Sequence, residues 1–169
     1  MYKEIKQRSE HAARLDARAG LDSIVERLNL HTSLATETIQ SMAHLLEQTK
    51  SMGDIESVMP KILRASPETT VYGIGVWSKE HTLVPSKRLY GPYWHRDAKQ
   101  GWILTREWET EAYNFPKQNW YLSGLPTTTP TFLEPYFDTG IVYVSLVRNF
   151  SDRTEQVKGV LTVDMIIPQ

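Results

Sequence analysis

The stretch Ile141-Val142-Tyr143-Val144-Ser145-Leu146-Val147-Arg148, followed ten residues on by Lys158-Gly159-Val160-Leu161-Thr162-Val163-Asp164-Met165-Ile166-Ile167, decides the fold. In the first segment Val142, Val144 and Leu146 fall on one face and Tyr143, Ser145 and Val147 on the other. In the second, Leu161, Val163 and Met165 share a face opposite Thr162 and Asp164. Strict alternation of this kind is the period of a β-strand. The polar run Asp152-Arg153-Thr154-Glu155 between the segments reads as a hairpin turn. Two long antiparallel strands, each with one aliphatic and one mixed face, are therefore expected at the C-terminal end. Upstream, Val71 to Ser78 reads as another strand, with Gly73 and Gly75 leaving space on one face opposite Ile74 and Val76. Lys87 to Trp94 is expected to add a further strand.

Working outward, residues 1 to about 50 contain no proline and one glycine, Gly20. Apolar residues there recur at helical spacing: Leu21, Ile24, Val25, Leu28, then Ala35, Ile39, Met42, Leu45 and Leu46. Leu21, Leu28, Ala35 and Met42 stand seven apart, which suits a helix that packs on a sheet or pairs with its twin in a dimer; the polar His31 and Thr38 argue against a strict coiled coil. Residues 1–18, with mixed charges, suit a solvated helical extension. Met52-Gly53 is expected to end the helix and Asp54 to cap the next one, whose apolar positions are Ile55, Val58, Met59, Ile62 and Leu63, with a kink at Pro60. A long helix, a short helix and then antiparallel strands make an α+β domain with its helices on one sheet face. Residues 95–140 read as one long, turn-rich connection. Connections of that length inside a compact domain are usually functional, and this one is expected to cover the other face.

Composition narrows the function. The 169 residues carry a net charge of −1, 40% hydrophobic and 23% charged residues, so nothing draws the chain towards nucleic acid. No run approaches the roughly 18 apolar residues of a membrane span, and no apolar stretch follows Met1, so neither an anchor nor a signal peptide is expected in this sequence. Cysteine is absent, which removes disulfides, zinc–thiolate sites and thiol catalysis. There is no glycine-rich phosphate loop, no Gly-x-Ser-x-Gly elbow and no metal spacing among His11, His31, His44, His81 and His95. No enzyme, metal or cofactor is expected. Between Trp94 and Phe137, by contrast, lie Trp102, Trp108, Tyr113, Phe115, Trp120, Tyr121, Phe132 and Tyr136. Rings with polar tips in a proline-containing loop suit either a core or a pocket for a small amphipathic or cationic molecule.

Four motifs then form a recognisable succession. Tyr90-Gly91-Pro92-Tyr93-Trp94-His95-Arg96-Asp97 comes first, Asn119-Trp120-Tyr121 second and Glu134-Pro135-Tyr136-Phe137-Asp138 third. The strand from Ile141 to Arg148 leads to the last, Lys158 to Asp164. In this order and spacing the chain resembles the Cache family of PAS-like extracytoplasmic sensor domains, over residues 71–167. The resemblance implies a long N-terminal helix (residues 1–50) leading from the membrane and a single sensor domain (residues 51–169). It also implies a ligand pocket under the long loop and a homodimer through the N-terminal helix. The receptor's cytoplasmic output module would lie elsewhere in the full protein, whose sensor half would be periplasmic. The absence of a second sheet leaves a one-module sensor or the first half of a two-module one. The ligand expected is a small polar or cationic metabolite: an amino acid, an amine or an organic acid. By position, Tyr113, Trp120, Tyr121 and Asp164 match the residues that amino-acid-binding members use. Gln118 stands where those members carry arginine, exchanging a bidentate cation for a neutral amide; Lys117 would replace it only after a shift of the loop. Tyr143 and Ser145 share a face with Asp164 and complete the expected site, with His95 and Arg96 as further candidates and Tyr136 as a loop anchor. A ligand-free dimerisation module of such a receptor is the alternative.

Overall fold

The computed structural model describes residues 2–49, 52–65, 71–138 and 140–166. It divides into two compact units, Met1–Ser33 and Leu34–Gln169. The first unit is helical, the start of α1 (Tyr2–Gln48). Its apolar residues Leu21, Ile24, Val25 and Leu28 are all more than half exposed.

In the second unit the remainder of α1 is amphipathic. Ala35, Ile39, Met42, Ala43 and Leu46 are buried against the sheet. The heptad stripe thus has two fates: Leu21 and Leu28 are exposed, whereas Ala35 and Met42 are fully enclosed. α1 ends earlier than the sequence suggests. The Thr49 N–H bonds to the Leu46 carbonyl at 3.3 Å and its hydroxyl donates to the Leu45 carbonyl at 2.6 Å, so the last turn tightens and closes there. Met52-Gly53, expected as a terminator, instead opens α2 (Met52–Ala65), and Asp54 lies in its first turn, where a carboxylate suits the positive end of the helix dipole. Pro60 is accommodated inside α2, which buries Ile55, Met59 and Leu63.

Seven antiparallel strands follow: β1 (Gly73–Ser78), β2 (Tyr93–Asp97), β3 (Gly101–Thr105), β4 (Thr131–Phe132), β5 (Tyr136–Asp138), β6 (Ile141–Ser151) and β7 (Val157–Ile166). The sheet order is β3-β2-β1-β7-β6-β4, and β5 also pairs with β6. β6 and β7 are the two strands with the clearest alternation. Leu146, Leu161, Val163 and Met165 lie in the core shared with α1 and α2, while Val147 belongs to a second cluster on the opposite face. The hairpin turn is held by Asp152, whose Oδ1 accepts the N–H groups of Thr154 at 2.8 Å and Gln156 at 3.2 Å. Ile167 lies outside the described residues.

Two further sequence expectations are corrected. Lys87–Pro92 is not a strand: Val76 and Ser78 bond to the Pro92 and Tyr90 carbonyls, but the ladder proper begins at Tyr93. Residues 95–140 are not one loop, because β3 pairs with β2, and β4 and β5 lie on β6. Between β3 and β4 run a 3-10 turn (Phe115–Lys117) and α3 (Asn119–Gly124). Asn114 enters the turn in the left-handed region, φ 44°, which asparagine tolerates better than most residues.

Candidate functional site

The site is built on the sheet face turned away from the helices. Register places side chains in rows across it. Gly73 stands between His95 on β2 and Asp164 on β7, and Asp164 stands opposite Ser145 on β6. One pair along, Gly75 stands between Tyr93 and Thr162, with Val147 beyond. The two glycines matter because they lack Cβ atoms. A methyl group at Gly73 would collide with the Tyr93 phenol, and one at Gly75 with the Trp77 indole and the Thr162 hydroxyl. Two large rings can therefore lie down on the sheet, and each ends in a hydrogen bond. Tyr93 Oη donates to Asp164 Oδ2 at 2.5 Å, and Trp77 Nε1 donates to Thr162 Oγ1 at 2.9 Å.

Asp164 is the chemical centre. It is 7% exposed, and its second oxygen accepts the Ser145 hydroxyl at 2.5 Å. Burial raises its pKa above the ordinary aspartate range, against the opposing bonds from Ser145 and Tyr93. Among the described residues no lysine, arginine or histidine forms an ion pair with it. Tyrosines surround it instead. Tyr72 is pushed up to about 12, by burial first and then by Tyr143 and the Asp164 charge. Burial also raises Tyr93, Tyr113 and Tyr136, and the Asp164 charge adds to the shift in each. A buried carboxyl bounded by rings and hydroxyls is costly to ionise and would be stabilised in its charged form by a cation brought beside it.

Rings supply the walls. Trp108 meets Tyr93 edge-on at 4.9 Å, and Trp120 meets Trp77 at 5.0 Å while donating its Nε1–H to Tyr113 Oη at 3.2 Å. Tyr136 stacks on Tyr143 at 5.4 Å, and Tyr72 meets Tyr143 at a tilt, 5.2 Å between ring centres. Tyr93, Tyr143 and Trp77 are buried, Tyr72, Trp108, Tyr113 and Trp120 are partly buried and Tyr136 is exposed. Rings around a carboxylate can hold a cation by charge at one end and by ring quadrupoles at the sides.

Of the residues expected from sequence, Asp164, Ser145, Tyr143 and Tyr113 come together, with Trp120 attached through its bond to Tyr113. Two stand elsewhere. Tyr121 is buried against Phe115 and Trp120. Gln118 turns its amide back to donate to the Tyr113 carbonyl at 2.6 Å, which ties the loop to itself. Of the further candidates, His95 lies beside Tyr93 and Tyr72, whereas Arg96 sits over Trp102 at 4.2 Å and donates to the Val71 carbonyl. Sequence reasoning allotted no place in the site to Tyr72 or Trp77, named Trp108 only as one ring of the crossover and Tyr93 only within a motif, and assigned Tyr136 to anchoring. The one available signal was the pair Gly73 and Gly75, since empty floor positions invite rings from the neighbouring strand.

A second concavity, a groove of about 730 Å³, lies at the other end of β6, lined by residues that include Gln48, Arg148, Asp152 and Arg153. Its polar groups largely satisfy one another. Asp152 pairs with Lys158 at 2.9 Å, and Arg153 donates to the Gln48 carbonyl at 3.3 Å. Asp164, by contrast, forms no ion pair among the described residues, which makes its face the better candidate. Among the described residues no three His, Asp or Glu side chains are grouped to hold a metal ion.

Comparison with known proteins agrees with this architecture. Residues 55–169 match the model of the methyl-accepting chemotaxis protein-like, first PDC sensor domain family. The chain belongs to that family. The likeness to Cache sensors read from its motifs therefore stands, and the relatives of this PDC domain are receptor sensor domains rather than enzymes. Similar solved structures share its fold. The extracellular domain of a histidine kinase superposes with a TM-score of 0.67 at 20% identity, covering 83% of this chain and 55% of its own. Methyl-accepting chemotaxis protein X gives 0.64 at 13% identity, covering 94% and 64%. The ligand-binding domain of the Campylobacter jejuni chemoreceptor Tlp3, solved with L-norvaline, gives 0.54 at 14% identity, covering 85% and 53%. The PDC domain thus spans between half and two thirds of the length of these structures. Among curated proteins none matches the sequence significantly.

Proposed function

We propose that this PDC domain is the ligand-reading part of a membrane-anchored bacterial receptor, and that it binds a small metabolite through a positively charged ammonium group held between aromatic walls and Asp164. The observation that carries this reading is the buried carboxylate with no counter-charge among the described residues, ringed by Tyr72, Tyr93, Tyr113 and Tyr136. An ammonium ion offers what the site lacks. Tlp3 was solved with L-norvaline and with L-valine, and an α-amino acid would present such a group here. Its carboxylate, however, would find no cation in the place of Gln118, whose amide is committed to the Tyr113 carbonyl. Amines are therefore expected to bind better than amino acids, and organic acids least.

In the same reading the domain is extracytoplasmic, residues 1–50 are the signalling helix and residues 51–169 the sensing module. Ala35 to Leu46 of the helix also contribute to the sensor's core. A second copy of the chain covers Leu21, Ile24, Val25 and Leu28. Binding biases one arrangement of strands and helix over another, and an output module in the full receptor responds.

The test is a thermal-melt panel with tetramethylammonium, small primary amines, amino acids and organic acids. A ligand at a hundred times its Kd stabilises by about 2.7 kcal/mol, a rise of roughly 5–10 °C for a domain of this size. Asp164→Asn is expected to abolish the amine response. The rival, a ligand-free dimerisation module, is favoured by the close packing of Trp77, Trp108 and Trp120, and it requires that no compound raise the melting temperature.

A further inference from the structure

We propose that Glu56 on α2 is a positioning residue for Trp108, the wall of the Asp164 site, and acts through Arg106 and Glu109 on either side of that tryptophan. The role in binding rests on the ammonium-site reading above; the hold on Trp108 does not.

The network closes on itself. Glu56 Oε1 accepts the Tyr90 hydroxyl at 2.8 Å and pairs with Arg106. Arg106 also pairs with Glu109 at 2.7 Å. Glu109 accepts the Gly91 N–H at 3.1 Å and pairs with Lys87 at 3.4 Å. Arg106 stacks 5.3 Å from the centre of the Tyr90 ring. Tyr90 is 3% exposed, and the side chain of Glu109 is 10% exposed. Burial works to raise the pKa of Glu56, but the bonds from Tyr90 and Arg106 hold it below the ordinary glutamate range, so it stays charged. A lone surface ion pair contributes little, whereas a network shares the cost of ordering its side chains.

The network is also aimed. The Glu109 N–H bonds to the Arg106 carbonyl at 3.0 Å, so residues 106–109 form a closed turn with Trp108 inside it. Both ends of that turn are fastened, one to α2 and one to the backbone at Gly91. The indole that projects from it meets Tyr93 at 4.9 Å and Trp77 at 6.2 Å, and Tyr93 carries the bond to Asp164. Gly91 lies so close to the Trp77 ring that a Cβ there would sit 2.6 Å from it, so the same anchor also backs the second indole. A continuous path of contacts thus joins a charged residue on a helix to the carboxylate of the site.

The experiment is acrylamide quenching of Trp108, taken as the difference between each protein and its Trp108→Phe counterpart, on the full chain. Glu56→Gln keeps the shape and the Tyr90 bond but removes the charge; Arg106→Met removes the partner. Each is expected to raise the quenching constant of Trp108 at least twofold, and the double variant to do no more than either alone. Wild-type Trp108 is expected to become more accessible as salt rises from about 0.05 to about 1 M, and Glu56→Gln to show a smaller salt response, carried by the remaining Arg106–Glu109 and Lys87–Glu109 pairs. Tetramethylammonium affinity is expected to fall about tenfold in both variants. Unchanged quenching in both, or additive effects in the double variant, overturns the clamp. A Trp108 that is freed while tetramethylammonium binds as before overturns the role in binding. If the wild type does not bind tetramethylammonium but quenching behaves as expected, the ammonium reading fails and the hold on Trp108 stands.

Discussion

At the scale of the single residue, Asp164 stores an electrostatic tension that pH can release, and that a bound ammonium group would also release in the proposed reading. Its carboxyl is raised above its unfolded-chain value by burial. For an acid this means the folded state holds its proton more tightly than the unfolded state. The stability linked to that proton is complete below the unfolded value near 3.8 and is lost as pH rises through the folded value. The unliganded protein is therefore expected to lose stability with rising pH in that window, and Asp164→Asn to lack this slope. The gap in melting temperature between variant and wild type should widen as pH increases from about 3.8, then level off above the folded pKa. A saturating amine should narrow it. Parallel melting curves at every pH would show that Asp164 has its counter-charge after all. Asp164 was named by its match to the family motif, and alternation along its strand gave the face it occupies. Its partner Tyr93 was not legible, because that bond spans 71 residues of sequence and depends on the β1–β2 register.

At the scale of the element, the glycines of the sheet divide by what stands above them. Gly159 on β7 faces backbone: an added Cβ would collide with the Trp77 carbonyl oxygen and come within 2.9 Å of Ser78 Cα. Main chain cannot swing aside, so Gly159→Ala is expected to destabilise by about 3 kcal/mol or more, at the upper end of what overpacking costs, as a lower urea midpoint with an unchanged m-value. At Gly73 the nearest atoms to an added Cβ all belong to the Tyr93 side chain. Gly73→Ala is expected to cost less, about 1–2 kcal/mol, while weakening amine binding at least tenfold, because the displaced phenol leaves Asp164. If Gly73→Ala melts lower than Gly159→Ala, the floor is not shaped as described. The strands β6 and β7 were legible because one face of each is aliphatic. The short strands β3, β4 and β5 were not, since their two to five residues carry no period long enough to read and form only by pairing with longer neighbours.

At the scale of the whole molecule, the seven-residue stripe carries two different burdens. Ala35 and Met42 are enclosed by the sheet of their own chain, whereas Leu21 and Leu28, at 63% and 51% exposure, have no such cover. Each large aliphatic side chain gains about 1.5–3 kcal/mol when fully buried, and a stripe of four is a substantial incentive to pair. Leu21→Glu with Leu28→Glu is expected to raise the dimer dissociation constant at least tenfold in sedimentation equilibrium, while the melting temperature of the sensing unit stays within about 2 °C. Equal association of wild type and variant would remove that surface from the signalling scheme.

The sequence by itself determined the class of the domain: a proline-free helix, alternating strands and an aromatic crossover, each encoded in a local period that survives without its neighbours. It also put Asp164, Ser145 and Tyr143 together, because alternation along two adjacent strands assigns a common face. Only the tertiary structure decided which rings surround that carboxylate, that Gln118 and Tyr121 are occupied elsewhere, and that Glu56 pairs with Arg106 across 50 residues of sequence. Those relations depend on register across strands and on where a loop folds back, and both are set by long-range packing rather than by any spacing along the chain.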